Sequence, residues 1–285
     1  MMPITPIAPL LGQLDQRFAE RLLRLDQGQQ AVREAGSGQA MMLLHGIGSG
    51  AASWLQVALG LSERARVIAW DAPGYGQSTP LPIAAPKARD YAARLLHTLD
   101  ALAIERCVLV GHSLGALTAA AFAQAHPARV SRLVLLSPAR GYGEQPEQGQ
   151  AVRSKRLHTL EHMGIEQMAR ERSAHLLSAS ASTQALAWVH WNMARLLAHG
   201  YRQAIELLCG DHLLRFAPPT VPCEVHCGSA DAITPARDCQ ALAEALGAPF
   251  KLIPGAGHAC AIEQPDRVTG LLARALDTSL TGSVL

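Results

Sequence analysis

Charge is scarce in this sequence: Asp, Glu, Lys and Arg make up 17% of the 285 residues, against 49% apolar ones. That balance excludes a disordered chain, which needs much charge and little apolar matter. It supplies core enough for one large domain or two small ones. The charges nearly cancel, 25 basic against 23 acidic for a formal net of +2. A nucleic-acid binder carried by bulk charge is therefore not expected. Cysteine is sparse as well. Six residues (Cys107, Cys209, Cys223, Cys227, Cys239 and Cys260) in a chain this long do not make a disulfide framework, and no CxxC occurs. Cys223 and Cys227 stand four apart, a gap thiolate zinc sites use, but no second ligand pair follows. Reduced thiols serving as small core residues are expected, with no metal.

Long apolar runs are missing too. No stretch reaches the roughly 18 uninterrupted apolar residues of a membrane span, and the longest candidate, residues 114–125, holds Thr118 and Gln124. Residues 1–13 have no basic region and carry Pro3, Pro6 and Pro9, which suits neither a signal peptide nor a helix. A cytoplasmic protein with no membrane partner is expected. The glycine-rich stretch 45–50 lacks the Walker spacing and its lysine, which argues against a phosphate cradle.

What is present is an alternation. Short apolar runs at 41–44, 66–70, 107–110, 130–136, 223–227 and 250–253 each stop at Gly, Pro, Ser, His or Asp, as buried strands do. Longer stretches at 88–102, 114–125, 235–246 and 259–276 are long enough for helices. In the first of these, Tyr91, Leu95, Leu99 and Leu102 make a one-sided apolar stripe. Such alternation implies an α/β fold: a mostly parallel central sheet with helices on both faces. Residues 22–34, turning at Gln27 and Gly28, are expected as an antiparallel hairpin at one sheet edge. From 140 to 216 no strand-like run occurs, and helices punctuated by Gly141, Gly143, Gly149, Gly164 and Gly200 are expected. An insertion after a strand would sit over the carboxyl edge of the sheet, where ligands bind in open α/β folds. It is expected to be a lid.

Gly111-His112-Ser113-Leu114-Gly115 is the strongest chemical signal. It is a G-x-S-x-G directly after a strand and before a helix, the context in which the serine sits on a sharp turn with its hydroxyl exposed. A serine needs a base to attack near neutral pH, and the base needs an orienting carboxylate. In this architecture the chain order is Ser, then Asp or Glu, then His. Asp231 follows the strand at 223–227 and His258 follows the strand at 250–253, both beyond strand ends on the edge that carries Ser113. The Leu114 amide points toward any anion forming at Ser113. The Ile47 amide, in the loop after the strand at 41–44, is the expected second donor, and Gly46, Gly48 and His112 are expected beside the substrate.

His45-Gly46 after a strand, the run Asp71-Ala72-Pro73-Gly74-Tyr75-Gly76-Gln77-Ser78, the serine elbow and the loops of Asp231 and His258 together resemble the α/β-hydrolase fold family. The resemblance runs from about Arg21 onward. It implies a core at 1–138 and 218–285 with a helical lid at 139–217, and a packed turn built on Asp71. It implies Ser113 as nucleophile, Asp231 as acid, His258 as base and no cofactor. The segment from Gly257 to Pro265 is similar to esterases and enol-lactonases of aromatic-acid catabolism, which implies a small ester or lactone substrate. The alternative is the hydrolases that cleave carbon–carbon bonds in ring-fission dienoates. Those usually carry Trp after the base and often Asn before the nucleophile, where this chain has Ala259 and His112. Some members of the fold bind ligands without turnover, which is a third reading. Trp188, Trp191 and Arg195, at i, i+3 and i+7, share one helix face. Either they line an apolar pocket with Arg195 gripping a substrate carboxylate, or that face packs on the core, with packing favoured. His190 and His199 are expected as polar lid residues. Oligomeric state is left open, a homodimer included.

Overall fold

The computed structural model describes residues 5–281. Residues 1–4, and Pro3 with them, lie outside the described residues, as does the chain beyond 281. In chain order the elements are α1 (Ala8–Arg17), β1 (Glu20–Leu25), β2 (Gly28–Ala35), β3 (Ala40–Leu44), α2 (Leu55–Leu61) and β4 (Arg66–Trp70). They continue with α3 (Ala88–Ala101), β5 (Cys107–His112), α4 (Gly115–Ala125), β6 (Val130–Leu136), α5 (Pro146–Arg172), α6 (Thr183–Ala194) and α7 (Ala198–Gly210). The last are β7 (Cys223–Gly228), α8 (Ala236–Leu246), β8 (Phe250–Ile253), α9 (Cys260–Glu263) and α10 (Pro265–Thr281).

Among the described residues the strands form one sheet in the order β1-β2-β4-β3-β5-β6-β7-β8. All neighbours from β4 to β8 pair in parallel; β1, β2 and β4 pair antiparallel. The edge hairpin is as expected, with Leu25 opposite Gly28. The central strands are apolar on both sides because both sides are covered. Met42, Leu44, Leu109 and Leu135 pack with Leu95, Leu99 and Phe122 of α3 and α4. Their alternates Met41, Leu43, Val110 and Leu136 pack with Leu55, Val57, Leu271 and Leu272 of α2 and α10. That is the period-two pattern of a strand read from both faces.

Two local expectations are corrected. Residues 8–17 do form a helix, α1: Pro9 sits in its first turn, where a missing N–H breaks no intrahelical bond. Helix α2, which no sequence signal marks, follows a 3-10 turn at Ala51–Trp54 and buries Leu55, Val57, Ala58 and Leu61. The stretch 259–276 is two helices, not one. Pro265 pushes Gln264 out of the helical region (φ −131°, ψ 58°), so α9 ends there and α10 begins on the proline.

Between β6 and β7 the chain is helical, as α5, α6 and α7. Helix α5 is bent at Gly164, whose backbone (φ 72°, ψ 175°) leaves the helical region. Helix α7 ties the segment to the sheet domain. Its end supplies Asp211, which accepts from the Ala88 amide at the start of α3 (3.0 Å), and the Gly210 carbonyl, which accepts from Lys87 Nζ (2.9 Å).

Candidate active site

The sheet topology gathers the loops after β3, β5, β7 and β8 at one edge, the carboxyl ends of parallel strands. Ser113 lies between β5 and α4 with φ of 51°, a left-handed conformation that non-glycine residues rarely adopt. The turn is tight because strand and helix touch: a Cβ on Gly115 would stand 2.5 Å from the Leu44 carbonyl oxygen, and one on Gly111 2.7 Å from Ala116 Cα. His258 Nε2 is 2.9 Å from Ser113 Oγ, and His258 Nδ1 is 2.9 Å from Asp231 Oδ2. A carboxylate only accepts, so Nδ1 carries the ring proton and Nε2 is left to accept from the serine hydroxyl.

Asp231 is held hard. Its Oδ1 accepts from the amides of Ile233 (2.8 Å) and Thr234 (2.9 Å), and its Oδ2 faces Thr234 Oγ1 at 2.9 Å. Burial pushes this carboxyl up, but the bonds from His258 and the Thr234 amide outweigh it and hold it well below the usual carboxylate range. The neighbouring thiol of Cys227 is pushed far up, by its contact with Cys239 first and by burial second, so it stays protonated. All six cysteines are free, and among the described residues no cluster of three His, Cys, Asp or Glu side chains could hold a metal.

His112 sits beside the base. Its Nε2 donates to the His258 carbonyl (2.8 Å), the rings lie 5.0 Å apart, and Trp54 meets it edge-on. Burial, and then the nearby His258 ring, hold the His112 pKa down to about 3. It is a neutral prop under His258.

The Gly46–Ile47 peptide is oriented by His45, whose side chain has a role that the sequence pattern does not specify. His45 Nε2 accepts from the Ala72 amide (3.0 Å), so its Nδ1 carries the proton and donates to the Gly46 carbonyl (2.8 Å). The Ser49 amide donates to the same oxygen (3.2 Å). A trans peptide turns its N–H opposite its C=O, so anchoring the Gly46 oxygen aims the Ile47 amide the other way. Among the described residues no acceptor takes the Ile47 or the Leu114 amide. The Asp71 turn supports this loop: Asp71 Oδ1 accepts from the Ala51 amide (2.8 Å) and Tyr75 donates its hydroxyl to the Ile47 carbonyl (2.9 Å).

Above this edge lies a cavity of about 480 Å³, large enough for a small organic substrate. Gly46, Ile47, Gly48, His112, Ser113, Leu114 and His258 all line it. With the fold and this geometry in place, comparison with known proteins is direct. The alpha/beta hydrolase family profile matches residues 41–271. The chain belongs to that family. An uncharacterized protein of Mycobacterium tuberculosis is 29% identical over 275 residues, 87% of this chain and 78% of that protein. A 2-hydroxy-6-oxononadienedioate/2-hydroxy-6-oxononatrienedioate hydrolase of Paraburkholderia phymatum is 40% identical over 114 residues, 38% of this chain and 39% of that protein. Among solved structures, the enol-lactonase of Burkholderia xenovorans matches with a TM-score of 0.78 at 23% identity, over 90% of this chain and all of that one (100%). That likeness is one of fold.

Family membership makes the chain a hydrolase, and its cavity distinguishes the two readings of α6. Trp188, Trp191 and Arg195 do not line it; Val189, Asn192 and Met193 of the same helix do. Trp188 is buried in the apolar cluster that also holds Ile7, Leu10 and Leu14. Trp191 stacks flat on it at 4.7 Å, and the Arg195 guanidinium covers Trp191 at 4.5 Å. The packing reading holds: that helix face is turned away from Ser113. Sequence spacing identifies which residues share a face, but not which face meets the cavity. Among the described residues no helix is long and apolar enough to cross a membrane.

Proposed function

We propose that this chain is a serine hydrolase that cleaves a carboxylic ester or lactone of a small substrate through an acyl-enzyme. The observation that carries the reading is the unbroken hydrogen-bonded line Asp231–His258–Ser113, with Ser113 opening onto the cavity. Ser113 Oγ attacks the carbonyl carbon while His258 Nε2 takes its proton, and Asp231 stabilises the imidazolium that forms. The Ile47 and Leu114 amides receive the oxyanion. Collapse expels the alkoxide, which leaves with the proton from His258. Water, deprotonated by His258, then attacks the acyl carbon and releases Ser113. No cofactor enters any step. The helical segment 139–217 acts as a lid over the core at 1–138 and 218–285, and closes the acyl pocket.

Partial likeness to dienedioate hydrolases supports a second reading, hydrolysis of a carbon–carbon bond in a ring-fission product. Ala259 after the base and His112 before the nucleophile weigh against it. The two are separated by rates on p-nitrophenyl butyrate, an enol-lactone and a ring-fission dienoate, where preference for the dienoate reverses the ranking. A fluorophosphonate probe should label Ser113, and Ser113→Ala should lower kcat/KM by about three orders of magnitude or more. An unreactive serine in a folded protein, or near wild-type turnover by the variant, overturns the hydrolytic assignment and favours a ligand-binding role.

A further inference from the structure

The cavity has charged lining residues that the triad does not use. Among the charged side chains lining it, Arg140 is paired with Glu144 (2.9 Å) and is exposed, and Asp238 is exposed and lies 3.2 Å from Arg237. The other two are Arg156 and Arg172, both half-buried and both on α5. Neither forms a salt bridge among the described residues, although Arg153 pairs with Glu206 of α7, Arg170 with Glu166 of α5, and Arg202 of α7 with Glu161 of α5. Arg156 has one hydrogen bond, to the hydroxyl of buried Tyr201 (2.9 Å), and that bond aims its fork. Arg172 has none. They stand sixteen positions apart, and the bend at Gly164 between them lets both ends of one helix face one cavity. The wall around them is apolar, with Met168, Leu176, Leu208 and Leu214.

Such an arrangement is costly without a ligand. A guanidinium stays charged at any working pH, so it cannot escape burial by losing its proton. Burial, and then the charge of Arg156, press the pKa of Arg172 downward, the direction expected of two cations facing each other in a low-dielectric pocket. An anion placed between them relieves both effects, and a carboxylate matches the planar donor fork.

We infer that Arg156 and Arg172 form an anion subsite in the cavity that Ser113 also lines, selecting substrates whose acyl chain ends in a carboxylate. This rests on the serine-hydrolase reading and names its substrate class: an ester or lactone of a short dicarboxylic acid. The apolar lining of the cavity takes the methylene chain. Arg156 and Arg172 bind substrate, and Ser113 and His258 keep the chemistry.

The test compares p-nitrophenyl hydrogen adipate with its methyl ester, equal in reactivity but different in terminal charge. The wild type should favour the acidic ester in kcat/KM by about tenfold or more, the size of one charge-assisted pairing. The Arg156→Gln/Arg172→Gln variant should bring that ratio to about 1 through KM. Arg172→Gln alone serves if the double variant fails to fold. Binding is read separately by calorimetry on Ser113→Ala, where monomethyl adipate should bind about tenfold tighter than dimethyl adipate. A wild type indifferent to the charge overturns the subsite while the esterase reading stands, and so does a preference that survives loss of both arginines. If neither ester is turned over, the esterase reading fails, and the calorimetric comparison still decides the subsite.

Discussion

At the strand ends Asp231 receives hydrogen bonds from Ile233, Thr234 and His258, whereas Arg172 on α5, which lines the cavity, receives no counter-charge at all among the described residues. His45 and His112 repeat the first pattern, each ring nitrogen that matters being assigned a backbone partner. The helical segment repeats the second, with a bent helix and ion pairs mostly at its outer surface. The difference separates two tasks. Groups that move a proton must be held within a fraction of an ångström before substrate arrives. Groups that choose a substrate retain unmet interactions for the substrate to satisfy.

That contrast can be broken from either side. The largest effect is expected from Asp231→Asn, which keeps the shape but misorients the His258 tautomer. Steady-state kinetics should show kcat down by about four orders of magnitude, with the fold intact by circular dichroism. Next is the joint between the regions. Gly200 of α7 lies directly against the backbone of Gly74, so a methyl group there collides with the Gly74 carbonyl. Gly200→Ala should cost about 3 kcal/mol in denaturant unfolding, because backbone cannot move aside as a side chain can.

The third prediction concerns acid. His112 is held at about 3 and His45 is also lowered by burial, while both titrate at about 6.5 when unfolded. The unfolded chain therefore binds more protons, so this stability is fully present above about pH 6.5 and is lost as pH falls toward about 3. Each histidine contributes a slope of up to about 1.4 kcal/mol per pH unit. Denaturant midpoints for His112→Asn should fall less steeply than wild type between about pH 7 and about pH 5. The smallest effect has the opposite sign. Arg172→Met removes an unpaired, half-buried charge and should raise stability by about 1 kcal/mol, or about 2 °C in Tm. A loss of stability in that variant would mean the guanidinium already has a partner in solution.

Much of the sheet region was legible in the sequence because its rules are local. A strand buried on both faces must read as an apolar run, and the turn after it must carry Gly, Pro, Ser or Asp, so the ends of β3, β5, β7 and β8 could be located before any coordinates. Ser113, Asp231 and His258 followed from those ends. Helix α2 was not legible, since its seven residues hold one polar side chain, Gln56, too little contrast to show a one-sided stripe. His45 was visible as part of a motif, but its side-chain role was not, because that role is a bond to Gly46 and Ala72 set by a loop that only packing brings close. The helical segment resisted for a further reason. The rotation of α6 that buries Trp188 depends on long-range contacts that spacing along the chain does not record, and Gly164 marks the bend in α5 without showing that it turns Arg156 and Arg172 inward.

On the proposed mechanism, the left-handed backbone at Ser113 sets stability against catalysis at a single codon. Glycine would occupy that conformation with less strain, so the change that best relaxes the elbow is one that abolishes turnover. Improvement by screening for heat resistance alone would drift toward an inert protein at this site, and any directed evolution of this hydrolase must select for activity at every round.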